Sequence, residues 1–280
     1  MKFYGLDFNK TFEQLKLSQA NLMVATPSFV DLLLLDKSFG KELMPNLQTI
    51  LFCGEKLLKS TINKLYSRFD NLQIINSYGP TECTFAVTST DISKDMVSSE
   101  NVPVGVPKKD VSIYIVDENR NKMQDGEIGE ILIVGESVAA GYLKNVANNS
   151  FLEYNGKKAY LTGDLGYIKN GMLYYKARKD KQIKFKGYRI ELTDIEENLQ
   201  ELDYIDKAVV ISHTNEEDKV LNIIAFVSLK ENVTKAELEI IQDLQKKIPE
   251  YMCPKIKIIK DFPLNSNGKC DEKKLLSFIK

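Results

Sequence analysis

Apolar positions in the first third of the chain alternate between two spacings. Helical spacing around Phe12, Leu15 and Leu17 leads into the short apolar run Leu22-Met23-Val24-Ala25. Thr26-Pro27 then opens a helix predicted to reach Leu35, with threonine as cap and proline in the first turn. Thr49-Ile50-Leu51-Phe52-Cys53 reads as a short buried strand ending at Gly54-Glu55, a helix follows from Lys59 to Phe69, and Leu72-Gln73-Ile74-Ile75 is the next strand. This is α/β layering. The segment Tyr78-Gly79-Pro80-Thr81-Glu82 therefore falls at a strand's carboxyl end, where ligands bind in open α/β sheets.

From about Val102 the helical signal fades. Val111 to Val116, Gly129 to Val134 and Tyr160-Leu161 read as strands of a β-rich subdomain, divided by Asp125-Gly126 and Asn155-Gly156 turns. Gly166 to Lys169 and Met172 to Tyr175 flank Asn170-Gly171 as a hairpin. Arg178 to Arg189 holds six basic residues in twelve, broken by Asp180 and Gly187, and reads as one basic strand. A compact α+β pattern follows: helix Thr193 to Leu202, strands Ala208 to Ile211 and Ile223 to Val227, helix Thr234 to Ile248, and strand Ile256 to Ile259. Two domains, residues 1–178 and 179–280, are predicted to meet near Asp180. No repeat or low-complexity stretch separates them, so the junction is a short hinge.

Composition narrows the chemistry. The chain has 280 residues, 43% of them hydrophobic, and a formal net charge of -1. That charge gives no global attraction to nucleic acid or to an anionic membrane, so a polyanion must be gripped locally. Cys53, Cys83, Cys253 and Cys270 lack metal-binding or disulfide spacing, which points to a reducing, cytoplasmic setting. No apolar run approaches membrane-spanning length, so membrane insertion is not expected.

Three segments carry candidate chemistry. Asn76-Ser77-Tyr78-Gly79-Pro80-Thr81-Glu82-Cys83-Thr84 offers hydroxyls at Thr81 and Thr84 for phosphate, Glu82 as a hard ligand for magnesium, and the Tyr78 ring for a flat base. In Tyr160-Leu161-Thr162-Gly163-Asp164, Asp164 is expected on a tight turn made by Gly163, as a carboxylate able to accept both ribose hydroxyls. Asn265-Ser266-Asn267-Gly268-Lys269 presents one lysine on a tight turn, suited to phosphate. Taken singly, these are an ordinary turn, a hairpin corner and a solvated lysine. Together they describe a nucleotide and its metal.

The ordered segments resemble the adenylate-forming enzymes: acyl-CoA and aryl-CoA synthetases, luciferases and amino-acid adenylation domains. The resemblance rests on Ser77 to Glu82, Tyr160 to Asp164, Arg178 to Lys184 with Gly187 to Leu192, and Pro263 to Lys269. Leu51 to Glu55, Val104-Gly105, Gly129 to Gly135 and Ile248 to Met252 look most like the ligases that load D-alanine onto a carrier protein for teichoic acid D-alanylation. The implied fold is the later part of an adenylation core, α/β layers plus a β-rich subdomain, followed by a small mobile α+β C-terminal lid. The implied reaction uses ATP and Mg2+ to make an acyl-adenylate, then passes the acyl group to a phosphopantetheine thiol on a carrier protein or CoA. By the same resemblance Lys269 and Thr81 are catalytic at the α-phosphate. Asn76, Tyr78, Gly79, Asp164 and Arg178 bind nucleotide, Glu82 binds the metal, and Cys53 faces a small substrate side chain. Asp180 is the hinge, and Gly187 and Tyr188 form the lid turn used in the thiol step.

Some features depart from that pattern. Cys83 stands where relatives usually have alanine, and Ala177 replaces a common glycine. The family's Ser/Thr/Gly-rich phosphate loop and its ammonium-binding aspartate do not occur before Tyr78. The isolated chain is therefore expected to have weak activity or none, and to leave apolar surface of its first sheet uncovered. A non-catalytic nucleotide- or carrier-binding remnant, an acyl-CoA synthetase and a peptide-synthetase adenylation fragment stay open as alternatives. A nucleic-acid role for the Arg178 to Arg189 stretch is disfavoured by its mixed charge.

Overall fold

The computed structural model describes residues 10–98, 101–143, 149–265 and 270–279. The chain divides into two compact units, Met1–Asp180 and Lys181–Lys280.

The first unit begins α1 (Thr11–Ser18), β1 (Leu22–Ala25), α2 (Pro27–Leu33), β2 (Thr49–Phe52), α3 (Lys59–Arg68) and β3 (Gln73–Tyr78). The three strands are parallel, each joined to the next through a helical crossover. Thr26 caps α2 by accepting the Phe29 amide at 3.4 Å, with Pro27 at its first turn. The helix stops at Leu33, short of Leu35. The Arg68 guanidinium draws off the carbonyls of Leu34, Asp36 and Phe39, which would otherwise wait for a continuing helix. Val30 and Leu33 of α2 and Ile62 and Leu65 of α3 pack with Ile50, Phe52 and Ile74 of the sheet in one core.

Three elements that complete this sheet were not predicted from the sequence. β4 (Thr88–Asp91) pairs antiparallel with β3, and α4 (Lys94–Ser98) leads to β5 (Val106–Pro107), completing the order β1-β2-β3-β4-β5. β3 also continues past Ile75 to Tyr78. At the other edge, β1 exposes Leu22 (50%) and Val24 (59%).

The β-rich part comprises β6 (Val111–Val116), β7 (Gly129–Gly135), β8 (Phe151–Tyr154), β9 (Lys157–Lys169) and β10 (Met172–Arg178). They form an antiparallel sheet in the order β10-β9-β7-β6, with β8 added beside β9. The Asn170-Gly171 and Asn155-Gly156 pairs take positive φ, as tight hairpin turns require. Thr162-Gly163-Asp164 does not form the predicted tight turn. β9 runs through it for 13 residues, because its ladder with β7 resumes on both sides at Leu161 and Leu165.

In the second unit, the basic stretch folds as a hairpin of β11 (Gln182–Phe185) and β12 (Tyr188–Glu191), not as a single strand. The turn residues Lys186 and Gly187 both have positive φ. There follow α5 (Leu192–Gln200), β13 (Ile205–Thr214), β14 (Val220–Leu229), α6 (Glu237–Leu244), β15 (Lys255–Ile258) and α7 (Glu272–Leu276). α6 is shorter than the predicted span. The Glu239 carboxylate takes the Ala236 amide at 2.8 Å at its start, and tighter turns ahead of Pro249 end it. Strand side chains alternate between two cores: Ala208, Val210, Ala225 and Val227 face α5 and α6, while Val209, Ile211, Ile224 and Phe226 face α7. Cover on both faces explains the unbroken apolar runs of β13 and β14. Among the described residues, no helix is long and apolar enough to cross a membrane.

Candidate functional site

The site is built where β3 ends. Gly79 follows Tyr78, and a Cβ there would lie 2.3 Å from the Phe85 carbonyl oxygen, so only glycine lets the returning loop pass. Thr81–Cys83 form one tight helical turn, and Thr84 and Phe85 at positive φ reverse the chain. The segment after β7 is stitched to this turn. Thr84 Oγ1 donates to the Ser137 carbonyl at 3.0 Å, and the Ala139 amide donates to the Glu82 carbonyl at 2.8 Å.

Thr81 is exposed on the turn, while Glu82 is 8% exposed. The Glu82 Oε1 accepts the Tyr142 hydroxyl at 2.5 Å, and that hydroxyl lies 3.2 Å from the Tyr160 hydroxyl. Burial, then the Glu82 charge, pushes the Cys83 thiol up to about 12. At neutral pH it is a protonated packing group rather than a nucleophile.

Asp164 is 3% exposed and holds the centre of a network. Its Oδ2 accepts the Tyr78 hydroxyl at 2.6 Å, and its Oδ1 accepts Arg178 Nη1 at 2.8 Å. Burial, then the Asp164 charge, holds the Tyr78 phenol well above its ordinary range, so this proton stays between the two groups. Arg178 also donates from Nη1 to the Thr162 carbonyl and grips Asp180 with Nε and Nη2. Burial works against the guanidinium charge, yet the bond to Asp180 and the charge of Asp164 outweigh it and raise the pKa. Tyr78, Asp164, Arg178 and Asp180 thus meet, although Tyr78 and Asp164 are 86 positions apart.

Other candidates are placed differently. The Tyr78 ring, assigned above to a flat base, is buried among Cys83, Val87 and Ile131. Asn76 Nδ2 donates to the Pro103 carbonyl at 2.8 Å, tying β3 to a neighbouring loop. Cys53 is buried just beyond β2. In the second unit, Tyr188 beside Gly187 stacks on Tyr251 with centroids 4.0 Å apart. Lys269 lies outside the described residues, as do Ser266, Asn267 and Gly268. Sequence reasoning missed Tyr142 on Glu82 and Glu130, which accepts the Gly163 amide at 3.0 Å. Glu130 falls within the Gly129 to Gly135 segment noted above, but no local pattern gives it or Tyr142 these partners. Among the described residues no cluster of three acidic, histidine or cysteine side chains could cage a metal. A single carboxylate such as Glu82 still suits magnesium, which takes one or two carboxylates and completes its shell with phosphates and water.

The sequence matches two family models: AMP-binding enzyme over residues 3–143, and AMP-binding enzyme C-terminal domain over residues 194–269. A D-alanine–D-alanyl carrier protein ligase of Bacillus licheniformis is 42% identical over 272 residues, covering 94% of this chain and 54% of the relative. The ligase of the same name from Lactococcus lactis is 42% identical over 280 residues, covering 96% and 54%. The chain thus spans about half the length of the curated relatives it matches. The crystal structure of the Vibrio cholerae adenylation domain AlmE with glycyl-adenosine-5'-phosphate is similar in fold, with a TM-score of 0.82 at 22% identity over 96% of this chain and 52% of that one.

Proposed function

The chain belongs to the AMP-binding enzyme family, and from that premise we propose that it serves an ATP-dependent adenylate-forming ligase, with D-alanine as substrate and a carrier-protein phosphopantetheine thiol as acceptor. The observation that carries the nucleotide part is the Asp164 carboxylate, oriented through both oxygens by Tyr78 and Arg178. A carboxylate held in this way suits a pair of vicinal ribose hydroxyls. D-alanine and the carrier protein come from the names of relatives 42% identical to the chain. Teichoic acid D-alanylation and a cytoplasmic setting belong to the same reading.

In the first half-reaction an oxygen of the substrate carboxylate forms a bond to the α-phosphorus, and the bond to the pyrophosphate oxygen breaks. The attacking carboxylate is already ionised at neutral pH, so the step needs no side-chain base. What remains is positioning and charge neutralisation. The exposed Thr81 hydroxyl is assigned to the α-phosphate and Lys269 to the charge that develops between carboxylate and phosphate. Glu82 would hold Mg2+, which supplies neutralisation of the phosphate charge. Cys53, at the carboxyl end of β2, is assigned to the substrate side chain. In the second half-reaction the thiol sulfur bonds to the acyl carbon, the bond to AMP breaks, and the thiol proton leaves to solvent. Asp180 is assigned as the hinge between the two steps, with Gly187 and Tyr188 serving the second.

The test is ATP–pyrophosphate exchange with D-alanine, L-alanine, glycine and a fatty acid, alongside calorimetric AMP binding. Exchange is expected to depend on D-alanine, and AMP is expected to bind. Absence of AMP binding, or exchange that favours the fatty acid, contradicts the proposal.

A further inference from the structure

Asp164 follows an irregular point in the sheet. Across the ladder of β7 and β9, Glu130 faces Leu165 and Leu132 faces Leu161, so Thr162, Gly163 and Asp164 stand against Ile131 alone. A bulge of this kind re-aims a side chain and strips backbone groups of their ladder partners, and buried ones must be satisfied in another way. Neighbouring groups do so here. Glu130 Oε1 accepts the Gly163 amide at 3.0 Å, and Thr162 Oγ1 accepts the Asp164 amide at 3.1 Å while donating to the Ile131 carbonyl at 2.8 Å. The Lys179 amide takes the Gly163 carbonyl at 2.8 Å. Glu130 Oε2 lies 3.3 Å from Lys179 Nζ, with the glutamate side chain 14% exposed. Gly163 itself has φ +71° and no side chain to restrain it. Its position therefore rests on the groups that hold its amide and carbonyl.

We infer that Glu130 is a positioning residue for the ribose acceptor: by anchoring the Gly163 amide it sets the aim of the Asp164 carboxylate, and with it the discrimination of ribose from deoxyribose. Glu130 has this role only if Asp164 receives the ribose, as proposed above. A carboxylate accepts two vicinal hydroxyls only when both oxygens are aligned with them. Without the anchor the bulge relaxes, and the adenine and phosphate contacts, made elsewhere, remain.

Discrimination is read as the ratio of the dissociation constants of 2′,3′-dideoxy-AMP and AMP, measured by calorimetry on the 280-residue chain. Asp164→Asn is expected to bring the ratio close to unity. Glu130→Ala is expected to lower it about tenfold, the scale of one hydrogen bond to a charged group, with little change for the dideoxy nucleotide. Glu130→Asp keeps the charge but shortens the arm, and is expected to lower the ratio several-fold. It decides the matter if the alanine variant does not fold. Glu130→Gln can still accept from the Gly163 amide and is expected to stay near the parent ratio. Equal weakening of both nucleotides by Glu130→Asp, or an unchanged ratio, overturns the role of Glu130. An unchanged ratio in Asp164→Asn overturns the ribose reading instead.

Discussion

Cys83 shows how a single buried group can report on the turn that carries Thr81 and Glu82. Its thiol is pushed up to about 12 from an ordinary 9.0 by burial and by the Glu82 charge. Between those two pH values the unfolded chain has released the proton and the folded chain has not, so stability falls as pH rises through this window. Urea midpoints measured from pH 8 to 11 are expected to decline less steeply in Cys83→Ala than in the parent. The thiol should also resist alkylation at pH 8 until the protein unfolds. Identical slopes would mean that Cys83 is not the buried, protonated group described here. The residues around it differ in how far sequence alone exposes them. Thr81, Glu82 and Asp164 stand in recognisable segments. Tyr142 and Glu130 act on partners 60 and 33 positions away, so only the folded chain reveals them.

Elements were readable where hydrophobic spacing or turn chemistry was local. The hairpin at Asn170-Gly171, the crossover helices and the restart after Gly187 all follow from such signals. β4 was not readable, because Thr88-Ser89-Thr90-Asp91 has no apolar alternation and becomes a strand by pairing with β3. The bulge in β9 reads from sequence as a tight turn, because Thr162-Gly163-Asp164 looks the same in either setting. It makes Gly163→Ala a sharp test. The new Cβ would sit 2.8 Å from Arg178 Nη2 and 3.1 Å from Asp180 Oδ2, at φ +71°. The substitution is expected to destabilise the chain by about 1–2 kcal/mol and to weaken AMP binding, read by urea unfolding and calorimetry. Unaltered binding would show that the bulge does not shape the site. β1 carries its own consequence, since Leu22 and Val24 sit exposed and, among the described residues, no strand pairs with its outer edge. A lysine there disfavours edge pairing. Val24→Lys is expected to reduce concentration-dependent self-association in light scattering, and no change would show that the edge is not the sticky surface.

For the whole molecule, the proposal of two half-reactions turns on the junction at Asp180. Asp180 is the last residue of the first unit, and its carboxylate is held by Arg178. Asp180→Ala removes that grip and leaves the backbone free, whereas Asp180→Pro also fixes φ. If Asp180 is the hinge, the proline variant is expected to lose thioester formation far more than adenylation, and the alanine variant to affect the two in proportion. Proportional loss in the proline variant would argue against a hinge. With a net charge of -1, the proposed nucleotide would have to be held by local contacts rather than a broad field, and the buried network at Asp164 is the proposed ribose contact. A crystal structure with AMP bound tests this most directly. Both ribose hydroxyls are expected within hydrogen-bonding distance of the Asp164 carboxylate. AMP bound elsewhere, with Asp164 still closed on Tyr78 and Arg178, would contradict it.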